Sequence, residues 1–173
     1  MDKHYTIRPG CESDLELLPP IERAAARLFV TVGWEDNELL SDATTAEEHR
    51  VYLEAGRLWV AAAANDQPVG FAIASVVDGH AHLDEIDVHP DHGRRGIGRA
   101  LVDRVCAWAR SAGFTAITLT TERDIPWNAP FYARLGFEIL ADDALSDSLR
   151  AILDHEVELG LKRESRVAML KPL

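Results

Sequence analysis

Apolar and polar positions along the chain alternate between short strand-like runs and longer stretches with helical spacing. His4-Tyr5-Thr6-Ile7-Arg8-Pro9 predicts a short opening strand. Ser13-Asp14-Leu15-Glu16 has the form of a capping box, in which the serine accepts from the backbone and the glutamate reaches back. Leu17, Leu18, Ile21, Ala24, Ala25, Leu28 and Phe29 then recur at helical spacing, and Pro19 and Pro20 require that this helix start or bend there. A second capping box, Thr45-Ala46-Glu47-Glu48, predicts a helix over about 45–55. Residues 57–64 and 68–77 predict two strands joined through Asn65-Asp66-Gln67-Pro68 as an antiparallel hairpin. Asp78-Gly79 turns the chain into a third strand over about 81–89. A helix over about 95–112 carries Ile97, Leu101, Val102, Val105 and Trp108 on one side and ends at Gly113. The β-forming run 114–121 should lie parallel to the strand before that helix. A short helix (127–135), a strand (136–140), an acidic helix (about 145–159) and a last strand (165–170) complete the pattern. The expected architecture is one mixed α/β domain over residues 1–173. Its central sheet has about six to seven strands, an antiparallel meander joined to a parallel pair, with helices on both faces.

Composition narrows the class. Of 173 residues, 47 % are hydrophobic, and no apolar run is long enough to span a membrane, so a soluble globular protein is expected. Met1-Asp2-Lys3-His4 leads into the first strand without an apolar signal core. Cys11 and Cys106 give no disulfide framework, and a cytoplasmic location is the default expectation. The formal net charge of −11 counts against nucleic acid or an anionic membrane as partner. Its distribution is uneven. Glu35, Asp36, Glu38, Asp42, Glu47, Glu48 and Glu54 face a single base, Arg50, whereas residues 88–110 hold Arg94, Arg95, Arg99, Arg104 and Arg110 against Asp91 and Asp103. A basic enclave in an acidic chain suits an anionic ligand. A solvated helix face explains the acidic run as well as a cationic substrate does.

The enclave lies in Val88-His89-Pro90-Asp91-His92-Gly93-Arg94-Arg95-Gly96-Ile97-Gly98-Arg99-Ala100, between a strand and a long helix. Strand, glycine-rich turn and helix N-terminus together aim backbone N–H groups into one concavity. A Walker-type loop would need Gly-Lys-Ser/Thr, which does not occur. A dinucleotide fold would place its glycines after the first strand, whereas here they follow an antiparallel meander.

This loop, followed after one strand by Asn128-Ala129-Pro130-Phe131-Tyr132-Ala133-Arg134-Leu135-Gly136-Phe137, resembles the GCN5-related N-acetyltransferase (GNAT) family. The resemblance covers about residues 4–171 in element order and is strong over roughly 82–105 and 119–140. It implies the GNAT fold and acetyl-coenzyme A as co-substrate. It also implies pantetheine contacts from the backbone of Ile86 and Val88, and pyrophosphate contacts across Gly93, Arg94, Arg95, Gly96, Ile97, Gly98 and Arg99. The family usually carries Gln or Arg where this chain has Gly93, which leaves open which side chains touch phosphate. Tyr132 resembles the family's general acid for the departing thiolate, while Phe131 and Phe137 fit a core corner. Asn128 is either a cofactor contact or only a helix N-cap.

Candidates for the general base are His82 and Asp84, which fall where several family members keep theirs, with Glu85 in reserve. His82 and Asp84 share strand parity with Ile86 and Val88, and Glu85 and Asp87 point the other way. An exposed strand residue beside the Asp78-Gly79 turn accounts for His82 equally. No cysteine or serine nucleophile is implied, so direct attack by the amine is expected. His80, His82, His89 and His92 lack metal-ligand spacing, and no metal is expected. Acceptor contacts are expected from Phe29, Trp34, Glu35, Asp36, Trp127 and the acidic segment 142–158. Aromatics beside carboxylates suit a small primary amine, and core packing with solvation explains the same residues without one. The alternatives are an acyl-coenzyme A sensor without turnover, or acetylation of a protein N-terminus or lysine. A homodimer is compatible with the resemblance.

Overall fold

A computed structural model describes residues 4–35, 40 and 42–173. In chain order its principal elements are β1 (Thr6–Pro9), α1 (Leu18–Ala26), α2 (Ala46–Glu54), β2 (Leu58–Ala62), β3 (Pro68–Val77), β4 (His80–Val88), α3 (Ile97–Ser111), β5 (Ala116–Glu122), α4 (Ala129–Ala133), β6 (Glu138–Ile139), α5 (Asp147–Glu158) and β7 (Arg166–Pro172). The seven strands run in the order β1-β2-β3-β4-β5-β7-β6. β1 and β2 pair antiparallel, as do β2 and β3, which gives the predicted hairpin, and β3 is hydrogen-bonded to β4 as the predicted meander requires. The predicted parallel pair is β4 with β5, registered at Ala81↔Ile117 and His82↔Thr118. β7 enters antiparallel between β5 and β6, and β6 holds only two residues. Among the described residues, no helix is long and apolar enough to cross a membrane.

By contact density the chain divides into two compact units, Met1–Ser75 with Glu85–Ala107, and Val76–Asp84 with Trp108–Leu173. In the first, Leu15, Leu18 and Ile21 pack with Leu58, Val60, Phe71 and Ile73 in a core exposed by at most 5 % at any position. Each such side chain contributes about 1.5–3 kcal/mol by leaving water. Pro19 and Pro20 sit in the first turn of α1, where a missing N–H costs no helix bond. The predicted Ser13 cap is not the one used. A short 3₁₀ turn, Glu12–Leu17, starts from Cys11, whose N–H donates to Asp14 Oδ2 at 2.9 Å. Arg8 also donates to both oxygens of Asp14, at 2.7 and 2.9 Å, and this longer-range pair sets where the turn begins. The Thr45 box is as expected: Thr45 N–H donates to Glu48 Oε2 at 2.8 Å and Glu48 N–H to Thr45 Oγ1 at 3.3 Å. At Gly70 a Cβ would lie 2.7 Å from the carbonyl oxygen of Asp87, so only glycine lets β3 lie this close to β4.

In the second unit β5 and β7 pair over seven positions, Ala116↔Pro172 to Glu122↔Arg166. Leu145, Leu149 and Leu153 of the α5 region pack on Ala168 of β7. The Arg166 guanidinium grips Glu156 through both oxygens, at 2.8 and 2.6 Å, and fixes α5 to β7. Ser146 caps α5 by accepting from Leu149 N–H at 3.2 Å.

Candidate active site

The loop predicted to bind an anion lies in the first unit. After β4 a short turn, Pro90–His92, brings Gly93 N–H onto the Pro90 carbonyl at 3.0 Å. A Cβ on Gly93 would lie 3.1 Å from that same oxygen, which gives a steric reason for the absence of Gln or Arg here. Arg94 adopts φ +57° and Gly96 φ +78°, two left-handed residues that curl the backbone into α3. The first bond of α3 runs from Ala100 N–H to the Gly96 carbonyl at 3.1 Å. The N–H groups of Ile97, Gly98 and Arg99 therefore have no acceptor within the helix, and the helix dipole adds to them. The three arginines are not equivalent. Arg94 is exposed. Arg99 faces Asp103 one turn on, at 3.7 Å. Arg95 donates to the Tyr5 hydroxyl at 2.8 Å and to the Asp91 carbonyl at 3.3 Å.

The same unit gathers three carboxylates: Glu22 from α1 and Glu85 and Asp87 from β4. Glu85 shares hydrogen bonds with both Asp87 and Glu22. Burial, then the charges of Asp87 and Glu22, push the Glu85 carboxyl well above its usual range. Asp87 is pushed up to about 7 by burial and by Glu22. Burial raises Glu22 as well, against Thr44, whose N–H donates to its two oxygens at 3.1 and 3.0 Å. Behind Glu22 stands His49, fully buried with neither ring nitrogen hydrogen-bonded; its Nε2 is 3.8 Å from Glu22 Oε2. Burial lowers its pKa, so the ring is neutral at pH 7. Glu85 and Asp87 thus point to one side of β4, as strand parity predicts. Glu22 and His49 carry no sequence signal, since each reaches the site only through tertiary packing.

The other two base candidates lie in the second unit. His82 is 2 % exposed, with Nδ1 2.8 Å from Thr118 Oγ1, and burial pushes its pKa down to about 4. A ring so depressed is a weak proton acceptor at neutral pH. Asp84 is exposed. Asn128 is the N-cap of α4, but its side chain does not cap. Nδ2 donates to Thr121 Oγ1 at 2.8 Å, and Oδ1 is buried with no donor. Tyr132 is 7 % exposed, between Phe131 and Phe137 at ring separations of 5.2 and 5.6 Å. Trp127 is exposed.

Among the residues expected to meet the acceptor, the Phe29 and Trp34 rings meet at 4.7 Å, tilted by 52°, in the first unit, and Glu35, next to Trp34 in sequence, is exposed. Asp36 lies outside the described residues. Ile86 and Val88 are half-buried on β4. Among the described residues, no group of three or more His, Cys, Asp or Glu side chains is arranged to hold a metal ion.

A strand passing from ionisable residues into a glycine loop and helix N-terminus, in this strand order, defines a class. The acetyltransferase (GNAT) family model matches residues 14–137. The chain belongs to that family and is an acyltransferase by class. It is 30 % identical over 98 residues to the peptidyl-lysine N-acetyltransferase YjaB of Escherichia coli (strain K12), a match covering 57 % of this chain and 60 % of that relative. In fold it resembles the PaiA N-acetyltransferase of Thermoplasma acidophilum, solved in complex with coenzyme A. That likeness has a TM-score of 0.74 at 16 % identity and covers 98 % of this chain and 99 % of the other. It also resembles yncA of Salmonella typhimurium, a putative acetyltransferase solved with acetyl-CoA, with a TM-score of 0.69 at 17 % identity over 99 % and 95 % of the two chains.

Proposed function

We propose that the chain is an acetyl-coenzyme A-dependent N-acetyltransferase that acetylates a primary amine of a small molecule by direct attack. The observation that carries this reading is the Glu22–Glu85–Asp87 cluster, two of whose members lie on the strand that leads into the Gly93–Arg99 loop. Two features fit the co-substrate. The free N–H groups at the start of α3 suit a pyrophosphate. The donorless Oδ1 of Asn128 suits an amide N–H, of which the pantetheine arm has two. Bound acetyl-coenzyme A supplies an acyl group activated as a thioester.

The chain's own residues then have two proton tasks. An amine reaches the site as an ammonium and attacks only when neutral. An exposed carboxylate of ordinary pKa is too weak a base to hold that proton, whereas burial and mutual charge raise all three carboxyls of the cluster. Glu85 holds the proton between Asp87 and Glu22. This makes Glu85 the base, with the depressed His82 and the exposed Asp84 set aside. At the opposite end of the reaction, Tyr132 is assigned as proton donor to the thiolate by its place in the Asn128–Phe137 block. Ile86 and Val88 are assigned backbone contacts to the pantetheine arm. Phe29, Trp34, Glu35 and Trp127 are assigned to the acceptor.

A second reading, acetylation of a protein lysine, draws on the name of the Escherichia coli relative, since a lysine side chain presents the same primary amine. Thiol release from acetyl-coenzyme A separates the readings. Turnover with small amines supports the first, and turnover with lysine peptides alone supports the second. Binding of acetyl-coenzyme A without thiol release on either would overturn both in favour of a sensor.

A further inference from the structure

We propose that Tyr5 is a positioning residue for the anion-binding loop, its single hydroxyl holding both ends of the Gly93–Arg94 turn through His92 and Arg95. The inference rests on the reading of that loop as the coenzyme A site.

The Tyr5 oxygen lies 2.8 Å from Arg95 Nη1 and 2.8 Å from His92 Nδ1. Arg95 can only donate, so the hydroxyl oxygen accepts from it, and the hydroxyl and His92 Nδ1 share a second hydrogen bond. Burial, then the charges of Arg95 and His89, lower the His92 pKa. The contact is also packed: the His92 ring meets Tyr5 edge-on at 5.6 Å, and the Arg95 guanidinium lies 5.9 Å from the Tyr5 ring centroid. Between His92 and Arg95 stand Gly93 and Arg94, and Arg94 holds the left-handed φ of +57°. A non-glycine residue in that conformation persists only where the surrounding structure holds it there. Tyr5 supplies that fixation from β1's approach, at 5 % exposure, far from the loop in sequence.

Two consequences follow. The loop is ordered before ligand arrives, which removes ordering cost from the affinity. Arg95 serves the loop's shape, which leaves Arg94 and Arg99 as the arginine side chains to meet phosphate.

The test is coenzyme A titration with initial-rate kinetics on the full chain. Tyr5→Phe keeps the ring and removes only the hydroxyl. Its coenzyme A Kd and acetyl-coenzyme A KM should rise about 10-fold while kcat and the acceptor KM stay as in wild type. Arg95→Gln should weaken binding by the same factor from the exposed side of the lock, and so serves if Tyr5→Phe folds poorly. The double variant should be no weaker than either single one. An unchanged Kd in Tyr5→Phe, or additive losses in the double variant, overturns the inference; additivity would mean Arg95 touches phosphate itself. Wild-type protein that binds no coenzyme A would instead overturn the functional reading on which the inference stands.

Discussion

Two polar clusters flank the exit of β4 in the same unit, and their hydrogen-bond balance is opposite. Around Tyr5 the hydroxyl is satisfied on two sides: Arg95 donates to it, and it shares a second hydrogen bond with His92 Nδ1. Around Glu85 acceptors outnumber donors, so three carboxylates share protons beside a histidine with no hydrogen bond. On the inference above, the first arrangement fixes a backbone shape. In the second, burial and mutual charge raise all three carboxyls, so its protonation responds to a ligand that brings N–H groups or takes a proton away. On the proposed function, cofactor binding and proton transfer draw on different chemistry at the two ends of this stretch of β4 and its loop.

The sharpest way to break this division is Glu85→Gln, which preserves shape and removes the proton site. We expect kcat to fall by about 10²-fold or more with coenzyme A affinity unchanged. A normal kcat in a stopped-time thiol assay would move the base elsewhere. Tyr132→Phe should lower kcat by about 10²-fold, again without loss of coenzyme A binding; retained turnover would remove Tyr132 from the role of acid. The loop variant Tyr5→Phe should show the converse, a shift of about 10-fold confined to the cofactor. Next is Glu22→Gln. Its charge raises Glu85 and Asp87, so its loss should move the rising limb of kcat against pH toward lower pH. A limb that stays in place would separate Glu22 from the base.

The smallest effect concerns stability. Asp87 has a native pKa raised to about 7, so the folded state binds protons that the unfolded state has released. Its contribution is complete below about pH 4 and is lost as pH rises through about 7. Asp87→Asn should therefore gain on wild type between pH 5 and pH 9, by on the order of 1 kcal/mol after solvent screening. Thermal melts at both pH values read the difference, and a gain at pH 5 instead would reverse the assigned sign.

What the sequence made legible was local. The Gly93–Arg99 turn, the hairpin at Asn65–Pro68, the Thr45 cap and the parallel pairing of β4 with β5 each follow from residues within one or two elements. Glu85 entered only as the reserve base, because strand parity set it and Asp87 on the face away from Ile86 and Val88. Glu22, His49 and Tyr5 did not enter, because an acid on a helix, a histidine in an apolar face and a tyrosine in a first strand acquire meaning only when distant segments meet. The misplaced Ser13 cap has the same origin: Arg8 captures Asp14 and moves the turn's start to Cys11. Gly93, an irregularity as sequence, became intelligible once the Pro90 carbonyl stood 3.1 Å from its missing Cβ.

The central claim, that Glu85 and its neighbours take the proton of an amine attacking acetyl-coenzyme A, is tested most directly by thiol release in wild type and Glu85→Gln side by side, with coenzyme A binding measured on both. The account predicts equal binding, amine-dependent thiol release by wild type, and a loss of about 10²-fold or more in the variant. Equal rates in the two proteins, or a wild type that binds acetyl-coenzyme A and releases no thiol with any amine, would contradict it.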